Sequence, residues 1–185
     1  MAPNQPPWPR DWLMTDERMG EQLWQAIERL PVETGGIVFR HHGLDPAERE
    51  TLGIEIAKLA HKRKLTLAVS RDLALATRLG ARLVHNPGVP VDLPFSCSVH
   101  DEREAVAARD AGANLVFVSP VFPTRSHPDV VALGPERAAI LAALAGCPAI
   151  ALGGMTFGKF WELGPAFHGW AAIDAWLAPQ GPSRE

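Results

Sequence analysis

The sequence predicts a single small (β/α)8 barrel, or TIM barrel, with parallel strands. Two features of the 185-residue chain support this fold class. Short apolar runs alternate with helix-like segments about eight times, as is typical of right-handed βα units around one parallel sheet. The alternation is also unbroken, which favours a closed barrel over an open sheet. Because the chain is short for this fold, we expect trimmed helices and loops.

Eight short runs of aliphatic and aromatic residues, each followed by polar or turn residues, predict the strands. They cover residues 12–14, 37–40, 65–69, 81–84, 95–99, 115–118, 149–152 and 169–173. We expect the barrel over residues 12–178, between a flexible leader at residues 1–11 and a flexible tail at residues 179–185.

The helices between these strands are predicted from hydrophobic spacing and from capping residues. They cover residues 19–30, 45–64, 72–79, 101–111, 134–144 and 156–163. Asp45 and Asp101 are suitable N-terminal caps for two of them. Residues 86–94 contain three prolines and a glycine, so we expect a short or missing helix after strand four.

The composition is that of a globular protein, with 46% hydrophobic and 21% charged residues. A formal charge of −3 gives no general attraction for nucleic acid or for anionic membranes. No apolar run approaches the roughly 18 residues that span a bilayer, and a proline-rich start does not resemble a signal peptide. We therefore predict a cytoplasmic protein, bound to neither membrane nor nucleic acid, in which Cys97 and Cys147 are reduced.

The carboxyl ends of barrel strands meet at one rim, where this fold carries its ligand sites. The central stretch is residues 115–127, a buried strand followed by hydroxyl and basic side chains. The candidate site residues at the rim are Arg40, His42, Ser70, Arg71, His85, Ser98, His100, Ser119, Thr124, Arg125, Ser126 and His127. Their excess of cationic and hydrogen-bonding groups predicts an anionic ligand, most simply a phosphate.

Gly153 and Gly154, after the seventh strand, are suited to phosphate binding through bare backbone amides. Each rim residue also has a structural interpretation when it is taken singly. A strand-end histidine is often bonded to a carbonyl, a surface arginine is usually solvated, and paired glycines occur in tight turns. The functional interpretation therefore depends on the collection and on the fold.

Four segments resemble the thiamine-phosphate synthase and thiazole tautomerase family, a group of small (β/α)8 barrels. They are residues 37–40, 70–85 (SRDLALATRLGARLVH), 98–124 (SVHDEREAVAARDAGANLVFVSPVFPT) and 152–156 (LGGMT). The similarity covers roughly residues 13–176, nearly the whole predicted domain. It implies a transferase of thiamine biosynthesis that joins a thiazole phosphate to a pyrimidine pyrophosphate with Mg²⁺, and that forms homo-oligomers.

The resemblance also assigns roles to several positions. It makes Arg40 a catalytic and substrate-binding residue, Ser98 and Thr124 contacts to pyrophosphate and thiazole, and Gly153 with Gly154 a phosphate-binding turn. Ser126 keeps a second hydroxyl of the family pattern. His42 and His127 stand where the family has lysines.

The same pattern places two magnesium-binding carboxylates where this chain has Arg71 and Pro90. Ser70 and Arg71 occupy the positions of an Asn-Asp pair, so no metal ligand is predicted here although the family uses Mg²⁺. Asp174 stands where a serine contacts the thiazole phosphate. Pro120 stands where the tautomerase branch has its catalytic histidine.

Three functions remain open from the sequence. The first is a thiamine-phosphate-synthase-like transferase with Arg40, His100 and His127 as catalytic residues. The second is a binding or regulatory barrel that holds a phosphorylated or thiazole-like ligand without the synthase reaction. The third is a metal-free tautomerase or isomerase that uses histidines such as His85 for proton transfer. Trp161, Trp170 and Trp176 are predicted to be core residues.

Overall fold

The computed structural model describes residues 7–126 and 129–177. Eight parallel strands form a closed barrel in sequence order, so the predicted (β/α)8 fold is confirmed. The strands are β1 Asp11–Met14, β2 Gly35–Phe39, β3 Thr66–Ser70, β4 Leu83–His85, β5 Phe95–Val99, β6 Leu115–Val118, β7 Ala149–Leu152 and β8 Gly169–Ala172. Their carboxyl ends share one rim.

The helices pack outside the barrel, and all except the 17-residue α2 have 12 residues or fewer. They are α1 Gln22–Arg29, α2 Pro46–Lys62, α3 Leu73–Arg78, α4 Glu102–Asp110, α5 Gly134–Ala145, α6 Phe157–Glu162 and α7 Asp174–Leu177. Within the described part of the chain, β4 and β5 have no helix between them, as the prolines of this segment predicted. No described helix is long and apolar enough to cross a membrane.

Aspartate caps fix where three of these helices begin. Asp45 accepts hydrogen bonds from the backbone amides of Ala47 and Glu48 at 2.9 and 3.1 Å. Asp72 and Asp101 cap α3 and α4 in the same way. Each carboxylate satisfies amides that the helix leaves unpaired, so each helix starts within a few residues of the rim loop before it.

Aromatic side chains fill the barrel interior. The rings of Trp12 on β1 and Phe117 on β6 meet edge to face with centroids 5.5 Å apart, although their strands are not neighbours. A side chain at Gly36 would place its Cβ 2.5 Å from the Trp12 ring. The glycine therefore makes room for the indole at the centre of the core.

The C-terminal tryptophans have two different environments. Trp170 and Trp176 are buried and stack with ring centroids 5.1 Å apart. Trp161 is 66% exposed, so its predicted place in the core is wrong. The short helix α6 turns one large side chain inwards, and that residue is Phe160.

The first strand begins at Asp11, inside the segment predicted as a leader. The carbonyl of Arg10 accepts a hydrogen bond from the Trp170 amide at 2.7 Å, and the carbonyl of Trp8 lies 2.7 Å from His168 Nε2. Residues next to β1 therefore contact the barrel. Residues 1–6 and the predicted tail lie outside the described residues, and the domain boundaries remain a prediction.

Candidate functional site

Arg40, directly after β2, is held in place by the end of β1. Its backbone amide donates to Thr15 Oγ1 at 3.0 Å, its Nε donates to the Thr15 carbonyl at 2.7 Å, and its Nη2 donates to Asp16 Oδ2 at 3.0 Å. The Thr15 hydroxyl also lies 3.0 Å from His41 Nδ1. The Arg40 side chain is 26% exposed, so it presents a fixed charge at the rim.

Asp16 is shared between two arginines. Its Oδ1 accepts a hydrogen bond from Arg18 Nε at 2.7 Å while its Oδ2 pairs with Arg40. Partial burial opposes ionisation of Asp16, but the hydrogen bonds and charges of Arg18 and Arg40 outweigh it and lower the pKa of the carboxyl. Arg18 Nη2 also donates to Ser126 Oγ at 3.1 Å. This arginine thus connects the loop after β1 to the loop after β6.

A cavity of about 320 Å³ opens at the carboxyl ends of β6, β7 and β8. Its floor is largely apolar, with Met14, Leu152, Met155 and Ile173 among the lining residues. The predicted site residues that line it are Arg40, His100, Ser119, Thr124, Arg125, Ser126, Gly153 and Gly154. An apolar pocket with a few convergent polar groups is suited to a small ring-shaped ligand.

The two glycines of this cavity allow a close approach between two loops. Gly153 and Gly154 have φ values of 91° and 61°. A Cβ at Gly153 would lie 2.7 Å from Pro120 Cα, and one at Gly154 would lie 2.4 Å from the Pro123 carbonyl oxygen. Packing therefore explains both glycines without a ligand. Their role in binding phosphate remains a prediction.

Two of the lining residues, Arg125 and His100, lie beside carboxylates. Arg125 Nε lies 3.2 Å from Asp174 Oδ2, and His100 Nδ1 lies 2.7 Å from Glu104 Oε2. His127, a predicted catalytic residue in the same loop as Arg125, lies outside the described residues.

His85, at the end of β4, forms a buried network with three polar neighbours. Its Nδ1 lies 3.0 Å from Ser96 Oγ, and its Nε2 lies 3.3 Å from both Ser98 Oγ and Asn86 Nδ2. Burial, reinforced by the positive charges of Arg40 and other basic groups at the rim, lowers the pKa of His85 to about 3. The imidazole is therefore neutral near pH 7.

Asn86 completes this network and was not predicted. Its Oδ1 accepts a hydrogen bond from the Ser98 amide at 2.7 Å, and its Nδ2 donates to Ser98 Oγ at 3.0 Å. Ser98 is therefore held by protein groups. Neither Ser98 nor His85 is among the described residues that line the cavity. The signal in the sequence was the place of Asn86 directly after a predicted strand. In the structure its φ is 49°, a left-handed conformation that asparagine adopts more readily than most residues.

The remaining predicted residues lie beside β3. The Ser70 side chain is buried, and Arg71 is exposed with a φ of 62°. Within the described residues the Arg71 guanidinium makes no ion pair. His42 lines a separate hollow of about 480 Å³ between the starts of α2 and α3. Burial, followed by the charges of Arg49 and Arg71, lowers the pKa of His42.

Arg49, from the first turn of α2, joins the ends of β2 and β3. Its Nε donates to the Arg40 carbonyl at 3.0 Å, its Nη2 donates to the Ser70 carbonyl at 2.9 Å, and its Nη1 pairs with Asp72 at 3.1 Å. Because an arginine in a predicted helix is expected to be solvated, no feature of the sequence indicated that Arg49 would contact two strand ends. The Arg49 side chain thus joins the backbone at Arg40 to the backbone at Ser70.

No group of three or more His, Cys, Asp or Glu side chains comes together as a metal site in the described residues. The positions at which the resemblance expects magnesium ligands hold the exposed Arg71 and the exposed Pro90. Neither side chain offers the anionic oxygen that Mg²⁺ requires.

Comparison with known proteins identifies the family of the chain. The model of the thiamine monophosphate synthase family matches residues 12–175, which is nearly all of the barrel. The chain belongs to this family.

Its relatives in the thiamine monophosphate synthase family are distant in sequence. A putative thiamine-phosphate synthase 2 from Aquifex aeolicus is 27% identical over 163 residues, which cover 82% of this chain and 88% of the relative. A thiamine-phosphate synthase from Haloarcula marismortui is 28% identical over 160 residues, covering 78% and 72% of the two chains. The resemblance predicted from the four segments is confirmed.

A solved structure shows the same fold. The thiamine phosphate pyrophosphorylase from Pyrococcus furiosus superposes with a TM-score of 0.78 over 96% of this chain and 91% of that one, at 20% identity. Family membership and fold are therefore shown together. That Arg71, Pro90 and Asp174 depart from the residues of the family pattern remains a prediction from the resemblance.

Proposed function

We propose that this chain is a thiamine-phosphate-synthase-like transferase that binds a pyrimidine pyrophosphate and a thiazole at the carboxyl rim of its barrel. The carrying observation is the position of Arg40. It lines the cavity after β6 to β8, and its charge also acts on His85 at the end of β4. One fixed cation thus lies between the two halves of the site.

The two halves have different chemistry. The cavity beside Arg40 is largely apolar and has the size of a small heterocycle site. On the other side, Arg71 contributes positive charge, and burial, Arg40 and Arg71 together lower the pKa of His85. We assign the thiazole to the cavity and the pyrophosphate to Arg40 and Arg71.

In the proposed reaction, the C–O bond between the pyrimidine methylene carbon and pyrophosphate breaks, and the pyrophosphate leaves with the electron pair. The lone pair of the thiazole nitrogen forms the new C–N bond to the same carbon. The guanidinium of Arg40 and that of Arg71 stabilise the negative charge that develops on the leaving group. The apolar floor of the cavity excludes water, which competes with the thiazole for the carbocation-like pyrimidine.

Magnesium supplies charge neutralisation in the family reaction, but the side chains here do not fit the ion. Ser70, Arg71 and Pro90 offer one buried hydroxyl, one cation and no carboxylate. We therefore propose that the magnesium carboxylates are lost and that basic side chains hold the pyrophosphate directly. A guanidinium has the right geometry for phosphate oxygens.

A second candidate is a binding or regulatory barrel without the coupling reaction. Arg71 favours it, because this cation binds an anion tightly yet lacks the Lewis acidity of a metal. A histidine-based tautomerase has less support. His85 is buried and neutral with both ring nitrogens near protein partners, while His100 lies at the exposed mouth of the cavity beside Glu104.

The family and the free thiols of Cys97 and Cys147 support a place in the cytoplasm, where thiols stay reduced. Burial raises the pKa of Cys147 to about 11, so its thiol is protonated and unreactive near pH 7. We also propose a homo-oligomer, as the family resemblance implies.

The test incubates purified protein with the pyrimidine pyrophosphate and a thiazole, supplied as the alcohol and as its phosphate ester, with Mg²⁺ or with EDTA. We expect coupled product by liquid chromatography in both conditions, loss of product with Arg40→Ala, and no change with Arg109→Ala on α4. Binding of either precursor by calorimetry without product supports the second candidate. Absence of both binding and product contradicts both.

A further inference from the structure

We infer that the cavity selects a thiazole whose side chain ends in an uncharged hydroxyl and rejects its phosphate ester, with Asp174 as the residue that determines this specificity. The inference rests on the proposed binding of a thiazole in the cavity. It concerns the end of the ligand that lies near β8.

The first observation is the charge balance of the cavity. Its three basic lining residues are Arg40, Arg125 and His100. Each has a carboxylate partner: Asp16 at 3.0 Å for Arg40, Asp174 at 3.2 Å for Arg125 and Glu104 at 2.7 Å for His100, although Asp16 is shared with Arg18. Near β8, the described cation Arg125 is therefore paired with Asp174, which weakens its attraction for a phosphate dianion.

The second observation is the position of Asp174. This residue begins α7, two residues after the end of β8, and is the only carboxylate among the described residues that line the cavity. The family pattern has a serine there that contacts the thiazole phosphate. A carboxylate at the same place repels a phosphate, whereas it accepts a hydrogen bond from a hydroxyl.

Gly153, Gly154 and Lys159 are the residues in or beside the cavity that would otherwise indicate a phosphate site. Gly153 and Gly154 are required by the approach of Pro120 and Pro123, as their Cβ positions show. Lys159, which follows them, is already engaged. Its ammonium donates to the Gly154 carbonyl at 2.8 Å and lies 4.6 Å from the centre of the Phe122 ring. These contacts explain the glycines and the position of Lys159 by packing within the loop.

The two halves of the rim therefore differ in charge. Arg71, without an ion pair in the described part of the chain, lies on the side assigned to pyrophosphate. The ion pair between Arg125 and Asp174 lies on the side assigned to the thiazole. A ligand pair with one anionic member and one neutral member matches this arrangement.

The test is isothermal calorimetry with hydroxyethylthiazole and with its phosphate ester, without metal and at pH 8, where an ordinary imidazole is neutral. We expect the wild-type protein to bind the alcohol at least about tenfold more tightly than the ester. Asp174→Asn removes the charge and frees Arg125, so the ester should gain about tenfold in affinity while the alcohol changes less than about threefold. Asp174→Ser, with the family residue, should act in the same direction.

Asp110→Asn serves as the matched control, because Asp110 forms an ion pair with Arg109 at the end of α4. It should leave both affinities unchanged. Equal or tighter binding of the ester by the wild-type protein overturns the inference and leaves the proposed function standing. A ratio that Asp174→Asn and Asp174→Ser do not move also overturns it. If neither compound binds the wild-type protein or either variant, the proposed function fails and the inference fails with it.

Discussion

Asp16 Oδ2 lies 3.0 Å from Arg40 Nη2, and this contact joins the loop after β1 to the residue that follows β2. Both side chains are mostly buried, with exposed fractions of 17% and 26%. Removing one partner leaves the other charge poorly solvated. The pair therefore supports both the fold and the orientation of the candidate catalytic group.

Asp16→Asn is expected to lower the free energy of unfolding by about 1 to 3 kcal/mol, because it leaves Arg40 half-buried without its counter-charge. Urea denaturation at pH 7.5 measures the change. Asp110→Asn, which breaks the more exposed pair with Arg109, should cost less than about 1 kcal/mol. An equal decrease in the free energy of unfolding of the two variants would show that the contact between Asp16 and Arg40 stabilises the protein no more than an exposed ion pair does.

Gly153→Ala is expected to destabilise the protein by about 2 kcal/mol or more, since its φ of 91° is unfavourable for alanine and the new Cβ meets Pro120 at 2.7 Å. Gly158 on α6 is the control, because a Cβ there meets nothing within 4 Å. Gly158→Ala should be neutral or stabilising by up to about 1 kcal/mol. Thermal unfolding of both variants decides the point, and a stable Gly153→Ala protein contradicts the packing explanation.

The double variant Arg71→Asp and Pro90→Asp is expected to gain Mg²⁺ binding in the presence of pyrophosphate. It places carboxylates where the family pattern has them, and Asp tolerates the left-handed backbone of position 71, where φ is 62°. Calorimetry with Mg²⁺ compares it with the wild-type protein and with Arg109→Asp. If the double variant binds Mg²⁺ no better than Arg109→Asp does, these two positions do not account for the absence of a metal site.

His85 should make the fold sensitive to mild acid. Its pKa of about 3 in the folded state lies below the ordinary value near 6.5. Between these values the unfolded chain holds a proton that the folded chain does not, so stability decreases as the pH falls below 6.5. The expected loss between pH 7.5 and pH 5 is about 2 kcal/mol from this residue.

His85→Gln should reduce this pH-dependent loss by about that amount, whatever it does to stability at pH 7.5. Urea unfolding at pH 7.5, 6 and 5 gives the slope for each protein. His61→Gln, at the exposed end of α2, should keep the wild-type slope. A His85→Gln slope that equals that of the wild type would contradict the buried neutral imidazole.

The strands and most helices could be predicted because their signals are local. The run Leu115–Val118 is both a sequence pattern and a strand, and the cap at Asp101 is visible from its spacing to Glu104. The exposure of Trp161 could not be predicted, because it depends on which face of a short helix meets the barrel. Composition alone favours burial of a tryptophan.

The position of the candidate residues at one rim was predictable, because strand ends must converge in a barrel. The sequence could not show that Arg125 lies beside Asp174 while His85 faces Ser96. These contacts depend on residues 49 and 11 positions apart. Arg49 remained invisible for the same reason, since its partners come from two different strands.

The missing helix between β4 and β5 has a consequence for local motion. The strands β4 and β5 pair at only two positions, Val84 with Phe95 and His85 with Ser96. Beyond these backbone pairs, hydrogen bonds between the Asn86 side chain and Ser98 connect the ends of the two strands. In this barrel, transient opening of the wall therefore disrupts the polar groups beside the part of the rim to which we assign the pyrophosphate. Amide hydrogen exchange in β4 and β5 should slow when an anion is bound. The exchange rate of these two weakly paired strands would then indicate whether the site is occupied.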